Sequence, residues 1–274
     1  MVPSAHVYFT ASRRAAARFP RVLSARFGVC LAVLAALICS GCGSAATANK
    51  SVQRAGPAPT ATPRPSVVYV AMGASDALGV GADDPNTQGY VPIIISRLPK
   101  NAGALNLGVN GITLHEALTQ ELPQAIKAQP TLVTVWLVGN DFKDCAPLKQ
   151  YGADLDTLLT QLHDKTHAQV FVANSPDMSA LPFFSQGSII PTGPCFATMS
   201  LADIRAMAQQ WNNVIDPIVA KHGDVLVNVF NSALSTQPDL ISPHDGFHPS
   251  SKGYALLADL FWAQITNHHA VSGA

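Results

Sequence analysis

Ser66-Val-Val-Tyr-Val-Ala-Met72, running straight into Gly73-Ala-Ser-Asp76, is the stretch on which the fold turns. A short β-branched run closed by glycine reads as a buried strand ending in a tight turn. The pattern returns downstream. Leu105–Leu107 reads as a brief second strand, Thr131–Val138 as a third, Gln169–Ala173 as a fourth and Asp224–Phe230 as a fifth. Helical stretches separate them, at 88–98, from Thr113 to a limit near Pro123, at 151–166, at 200–222 and finally at 250–266. Thr113-Leu-His-Glu116 has the capping-box pattern, in which Thr accepts from the helix start and Glu reaches back. Leu155, Leu158, Leu159 and Leu162 keep helical spacing, and Ile204, Met207, Trp211, Ile215 and Ile218 fall near one helix face.

Strands alternating with helices imply parallel crossovers and a sheet covered on both faces. The predicted fold is therefore α/β: a three-layer α/β/α sandwich around a central parallel five-stranded sheet. Ligands of such sheets bind beyond the carboxyl ends of the strands. Ser75 follows the first strand, Gly111 the second, Asn140 the third, and Asp245 with His248 the fifth. Residues 176–199, rich in Pro, Ser and Gly, read as a long surface loop. Its Phe183, Phe184, Ile189 and Ile190 are read either as lining an acyl pocket or as tucked into the core.

The composition supports one domain with appendages: 274 residues, 48% hydrophobic and 12% charged. The formal net charge of zero hides an asymmetry. Eight Lys or Arg and no acid precede Asp76, so the remainder carries 17 acidic against 9 basic residues. An acidic body argues against nucleic acid, which needs clustered Lys and Arg.

The basic head is instead a targeting signal. Residues 1–42 have a positive stretch from Arg13 to Arg26 and an apolar run from Phe27 to Cys39, too short to span a bilayer. Leu37–Cys42 resembles a bacterial lipobox, with Cys39 where Leu is usual, which would make Cys42 a lipidated mature N-terminus. Ordinary cleavage nearby with release of a soluble product is the alternative. Residues 43–66, rich in Ala, Thr, Pro and Ser, read as a flexible tether, and 67–274 as the catalytic domain. Export leaves Cys145 and Cys195 as the body's two cysteines, a possible disulfide or two free thiols. No zinc-ligand spacing occurs.

Ser75 lies in Met-Gly-Ala-Ser-Asp-Ala-Leu-Gly, read as a strand-to-helix turn that offers its hydroxyl at a helix N-terminus. Asn106-Leu-Gly-Val-Asn-Gly-Ile-Thr113, Gly139-Asn-Asp141 and His244-Asp-Gly-Phe-His-Pro249 follow in that order. Each block alone has a bland reading, as N-cap, turn or loop. Together they resemble the SGNH (GDSL-type) hydrolase family over residues 67–266, with Gly-Ala-Ser-Asp where Gly-Asp-Ser-Leu is usual.

That resemblance implies a flavodoxin-like SGNH fold and a serine esterase needing no metal or organic cofactor. Ser75 would be the nucleophile, His248 its base and Asp245 the group that orients His248. The oxyanion donors would be the backbone N–H of Ser75, that of Gly111 (or Gly108) and the amide of Asn140. His244 is a rival base outside the Asp-x-x-His spacing. The expected substrate is a small-molecule, lipid or carbohydrate ester, met by an exported monomer that touches membrane only through its anchor. Polysaccharide deacetylation, lysophospholipase or thioesterase action, and a non-catalytic surface-binding lipoprotein are the other readings.

Overall fold

The computed structural model describes residues 67–186 and 192–271. The expectations placed on the export segment, the tether and Cys42 fall outside the described residues, as do Ile189 and Ile190.

The opening run folds as strand β1 (Val68–Gly73), whose Tyr69, Val70, Ala71 and Met72 are fully buried. β-branched and aromatic side chains suit a pleat covered on both sides. Helices α1 (Pro85–Gln88) and α2 (Tyr90–Arg97) lead to β2 (Gly103–Asn106). Helices α3 (Leu114–Gln120) and α4 (Leu122–Ala128) lead to β3 (Leu132–Trp136). Then come α5 (Gly139–Lys143), α6 (Leu148–Lys165) and β4 (Gln169–Ala173). Helices α7 (Pro182–Gln186) and α8 (Leu201–His222) precede β5 (Val225–Val227), and α9 (Ser251–Asn267) closes the chain. Thr113 and Glu116 make both halves of the expected capping box at the start of α3.

All strand pairs are parallel, in the order β2-β1-β3-β4-β5. The chain steps outward from β1 to β2, then crosses back over β1 to β3 and continues the other way. The reversal lies between β1 and β3, the place where open α/β sheets form their ligand crevice. Helices cover both faces, with α2 packed on α9 and α6 on α8. Tyr90 of α2 stacks on Phe261 of α9 with centroids 5.5 Å apart and meets Trp136 of β3 edge-on at 6.3 Å. Such pairs add about 0.5–1.5 kcal/mol each beyond area burial. They fasten one helical layer beneath the strands that carry the site.

The structure corrects three local expectations. Strand β5 stops at Val227 instead of reaching Phe230. The side-chain oxygen of Asn174 accepts the backbone N–H groups of Val229 (2.8 Å) and Phe230 (3.3 Å), so these donors are satisfied outside the ladder. Strand β2 starts at Gly103 and stops short of Leu107. It is an edge strand whose Leu105 is exposed, so apolar character was a poor guide to its limits. Segment 176–199 is more than a surface loop. It holds 3₁₀ turns at Met178–Ala180 and Pro194–Thr198 around α7, and Met178, Leu181 and Phe183 are buried.

Candidate active site

β1 ends where Gly73 permits a sharp turn. A Cβ there would lie 2.8 Å from the Ala77 Cβ and 3.3 Å from the Tyr90 hydroxyl. Ser75 follows on a series of tight turns, with Ala77 N–H bonded to Ala74 O and Val80 N–H to Ser75 O. No helix begins there; the first among the described residues starts at Pro85. Gly79 and Gly81, at φ of +78° and +97°, take the chain out of the right-handed region and prevent the expected helical start. Asn106 braces the turn, donating to Ala77 O (2.6 Å) and accepting from Gly108 N–H (3.0 Å).

The loop between β5 and α9 is closed on itself. Ser242 N–H donates to His248 O, Gly246 N–H donates to Ser242 O, and Ile241 bridges Pro249. It presents the His248 ring so that Nε2 lies 2.7 Å from Ser75 Oγ and Nδ1 lies 2.6 Å from Asp245 Oδ2. The other Asp245 oxygen accepts the backbone N–H groups of Phe247 (2.9 Å) and His248 (3.0 Å). Burial alone would push the Asp245 carboxyl up. The bonds from the His248 ring and these two amides outweigh it and hold the group below its ordinary range. His244 is exposed and its backbone turns on Ser242; it takes no part in this chain of contacts.

Gly81 brings the two loops together. A Cβ on it would meet Pro249 O at 2.6 Å and His248 Cβ at 2.8 Å. The Tyr254 hydroxyl of α9 adds a tie by donating to Val80 O (2.6 Å).

Gly111 and Asn140 line the same cleft as Ser75 and His248, a cavity of about 380 Å³ bordered also by Asn110 and Lys143. The two candidate glycines differ in what they do. Gly111 has φ +78° and open space where a side chain would stand, whereas a Cβ on Gly108 would strike Ala77 Cβ at 2.8 Å. Gly108 is therefore a packing glycine against the serine turn, and Gly111 faces the cleft. Asn140 uses one amide proton on Ile112 O (2.9 Å), which leaves the other free and fixes the side chain. Asp141 beside it accepts Leu114 N–H (2.8 Å) and so caps α3. Gly111, Asn140 and the α3 start thus move as one piece. Cys145, just past α5, is disulfide-bonded to Cys195 with Cα atoms 6.1 Å apart, joining this piece to the 194–198 turn.

Three acids around the site have carboxyls shifted by burial, which the sequence did not signal. Asp76 is pushed up to about 6 by burial, which the nearby His248 partly opposes. Glu121, fully buried, is pushed up to about 8 by burial, with its bond from Gly73 N–H (3.1 Å) opposing. Asp141 is pushed up to about 7 by burial, opposed by Leu114 N–H. Asp76 and Asp141 had readable neighbourhoods, the Gly-Ala-Ser-Asp and Gly-Asn-Asp blocks. Glu121 lies at the junction of α3 and α4, where a solvated acid is the ordinary reading. Among the described residues no group of three His, Cys, Asp or Glu is placed to hold a metal, and no helix is long and apolar enough to cross a membrane.

Comparison with known proteins agrees with this fold. The chain resembles TesA in fold, with a TM-score of 0.57 at 19% identity, covering 73% of this chain and 98% of that one. An extracellular lipase from Streptomyces rimosus gives 0.55 at 20% identity, over 73% and 100% of the two chains. A catalytic mutant of Axe2, an acetylxylan esterase from Geobacillus stearothermophilus, gives 0.56 at 17% identity, over 73% and 94%. No curated protein matches in sequence. The profile of the GDSL-like Lipase/Acylhydrolase family matches residues 78–256, the stretch from just past Ser75 to beyond His248. On that match, and on the five-stranded parallel sheet that carries it, this chain belongs to the GDSL-like lipase/acylhydrolase family and is an ester-bond hydrolase.

Proposed function

We propose that the chain hydrolyses carboxylic esters by acyl transfer through Ser75. The observation that carries this reading is the unbroken contact from Ser75 Oγ through the His248 ring to Asp245. A serine hydroxyl is a poor nucleophile until a base removes its proton, and His248 Nε2 is within reach to do so. Asp245, held ionised, fixes the tautomer and stabilises the imidazolium that forms. Attack on the ester carbonyl places negative charge on its oxygen. The backbone N–H groups of Ser75 and Gly111 and the free amide proton of Asn140 are the donors available around the cleft. His248 then protonates the leaving alcohol and activates the water that releases the acyl group.

A chamber next to the triad suggests the size of that group. Asp76, Gly139, Phe247 and Pro249, all neighbours of catalytic positions, line it together with Trp136 and Met178. It is far smaller than the cleft of about 380 Å³ that holds Ser75, which favours short acyl groups such as acetyl. Acetyl esters of carbohydrates are the second reading on this ground.

A fluorophosphonate probe tests the core of the proposal. The wild-type protein is expected to be labelled once, at Ser75, and Ser75→Ala is expected to escape labelling and to lose about 10⁴–10⁶-fold in kcat on p-nitrophenyl acetate with folding unchanged. Wild-type turnover in Ser75→Ala would refute it.

A further inference from the structure

A second cleft, of about 200 Å³, opens on the same edge of the sheet, beyond the ends of β4 and β5. Gln209, Asn213 and Asp216 of α8 form one wall, at i, i+4 and i+7 on one helix face. Asn228, Phe230 and Asn231, which follow β5, form the other. Three strand spacings separate the ends of β1 and β5, so the cleft lies about 14 Å along the edge from Ser75.

The floor of this cleft is rigid. Asn174 is buried and spends its oxygen on Val229 and Phe230 N–H and its amide on Asp216 Oδ1 (3.2 Å). Asn212 exchanges two hydrogen bonds of 2.9 Å with the Ser175 backbone. Asn231 N–H bonds Asn228 Oδ1 (3.1 Å), which shapes the far wall. Above this floor the amides of Gln209, Asn213, Asn228 and Asn231 are exposed.

The chemistry of the lining selects the ligand. Five of the eight lining residues are asparagine, joined by one Gln, one Asp and one Phe, and none is a cation. Phosphates and carboxylates find no positive charge there. An apolar ligand would leave the amides unpaired, which is costly once they are desolvated. Amides that both donate and accept, a carboxylate that accepts from paired hydroxyls, and one aromatic ring match a neutral polyhydroxylated ring. Arg205 sits 5.4 Å from the centroid of the Phe230 ring and is ion-paired with Asp177, which steadies the ring.

We propose that this asparagine-lined cleft is a binding site for a neutral saccharide, distinct from the acyl-transfer site and independent of whether Ser75 is the nucleophile. It would hold the enzyme on glycan-bearing material while the triad works on an ester elsewhere.

Isothermal titration of the purified full-length protein with xylohexaose, cellohexaose and chitohexaose tests this. Saturable binding of at least one is expected, weakened tenfold or more in Gln209→Ala/Asn213→Ala. Both side chains are exposed, so folding is preserved, and hydrolysis of p-nitrophenyl acetate should stay at the wild-type level. Ser75→Ala should bind as wild type does, which separates this site from the catalytic one. No saturable binding of any of the three, undiminished binding by the double variant, or binding lost in Ser75→Ala would overturn the proposal. Saturation by calcium chloride alone, with no saccharide binding, would overturn it as well.

Discussion

The two ends of one sheet edge handle buried polar groups in opposite ways. Beyond β1 and β3, Glu121 offers one oxygen to Gly73 N–H while its other oxygen and the Tyr90 hydroxyl, both buried, have no partner. Asp76, Glu121 and Asp141 all have their carboxyls pushed up by burial. Beyond β4 and β5, Asn174 and Asn212 use both functions of their amides on backbone or side-chain partners. Unpaired buried groups cost about 1–3 kcal/mol each, whereas paired ones are close to neutral or favourable. The comparison teaches where stability and activity part company. The end that holds Ser75 carries the unpartnered buried groups, whereas at the other end burial raises Asp216 but leaves it the Asn174 amide as a partner.

Substitutions can sharpen or break this contrast. At the Ser75 end, Asn140→Ala removes the proposed oxyanion donor and should cut kcat about 10²–10³-fold with KM little changed, as read by steady-state kinetics on p-nitrophenyl acetate. A kcat within threefold of wild type would remove Asn140 from the donor set. At the other end, Asn174→Ala leaves the N–H groups of Val229 and Phe230 unpaired. Stability in urea unfolding should fall by about 2–4 kcal/mol, with kcat of the folded fraction unaltered. If activity falls in step with stability, the two ends are not separable.

The smallest effect concerns pH. Glu121 binds its proton more tightly folded, with a pKa of about 8, than unfolded near its ordinary 4.5. Between those values the native state holds a proton that the unfolded chain has released. Folding stability therefore drops as pH climbs through this window and is highest below it. Glu121→Gln cannot ionise, so its melting temperature should fall less than that of wild type between pH 5 and pH 8. Asp141 remains in both proteins and cancels in the difference, and Asp76, whose charge helps to raise Glu121, cancels in part. Parallel curves would mean that Glu121 does not carry the alkaline penalty.

The residues explain what was legible beforehand. Buried parallel strands advertise themselves as unbroken β-branched runs, so β4 is readable to the residue and β1 and β3 to within two. Edge strands lack that signal, and β2 and β5 were misjudged at their ends. Among the site residues, Ser75, Gly111, Asn140, Asp245 and His248 sat in short blocks whose order carried the resemblance. The structure places all five at one cleft. The choice between Gly108 and Gly111 needed coordinates, because both are glycines after a strand and only their surroundings differ. Glu121, the burial of Asp76 and the asparagine cleft were invisible for a common reason. Burial of a lone acid and the meeting of α8 with the turn after β5 are long-range facts, and no local spacing encodes them.

The two contacts of His248 are unequal in reach. Its partner Asp245 is three residues away inside a self-closed loop, so that pairing can assemble early and alone. Its contact with Ser75 spans 173 positions and exists only after every strand and crossover between them is in place. Contacts that distant are the last to repay their loop-closure entropy. Recovery of esterolysis during refolding should therefore lag behind recovery of helical signal, which makes turnover itself a clock for the final act of assembly.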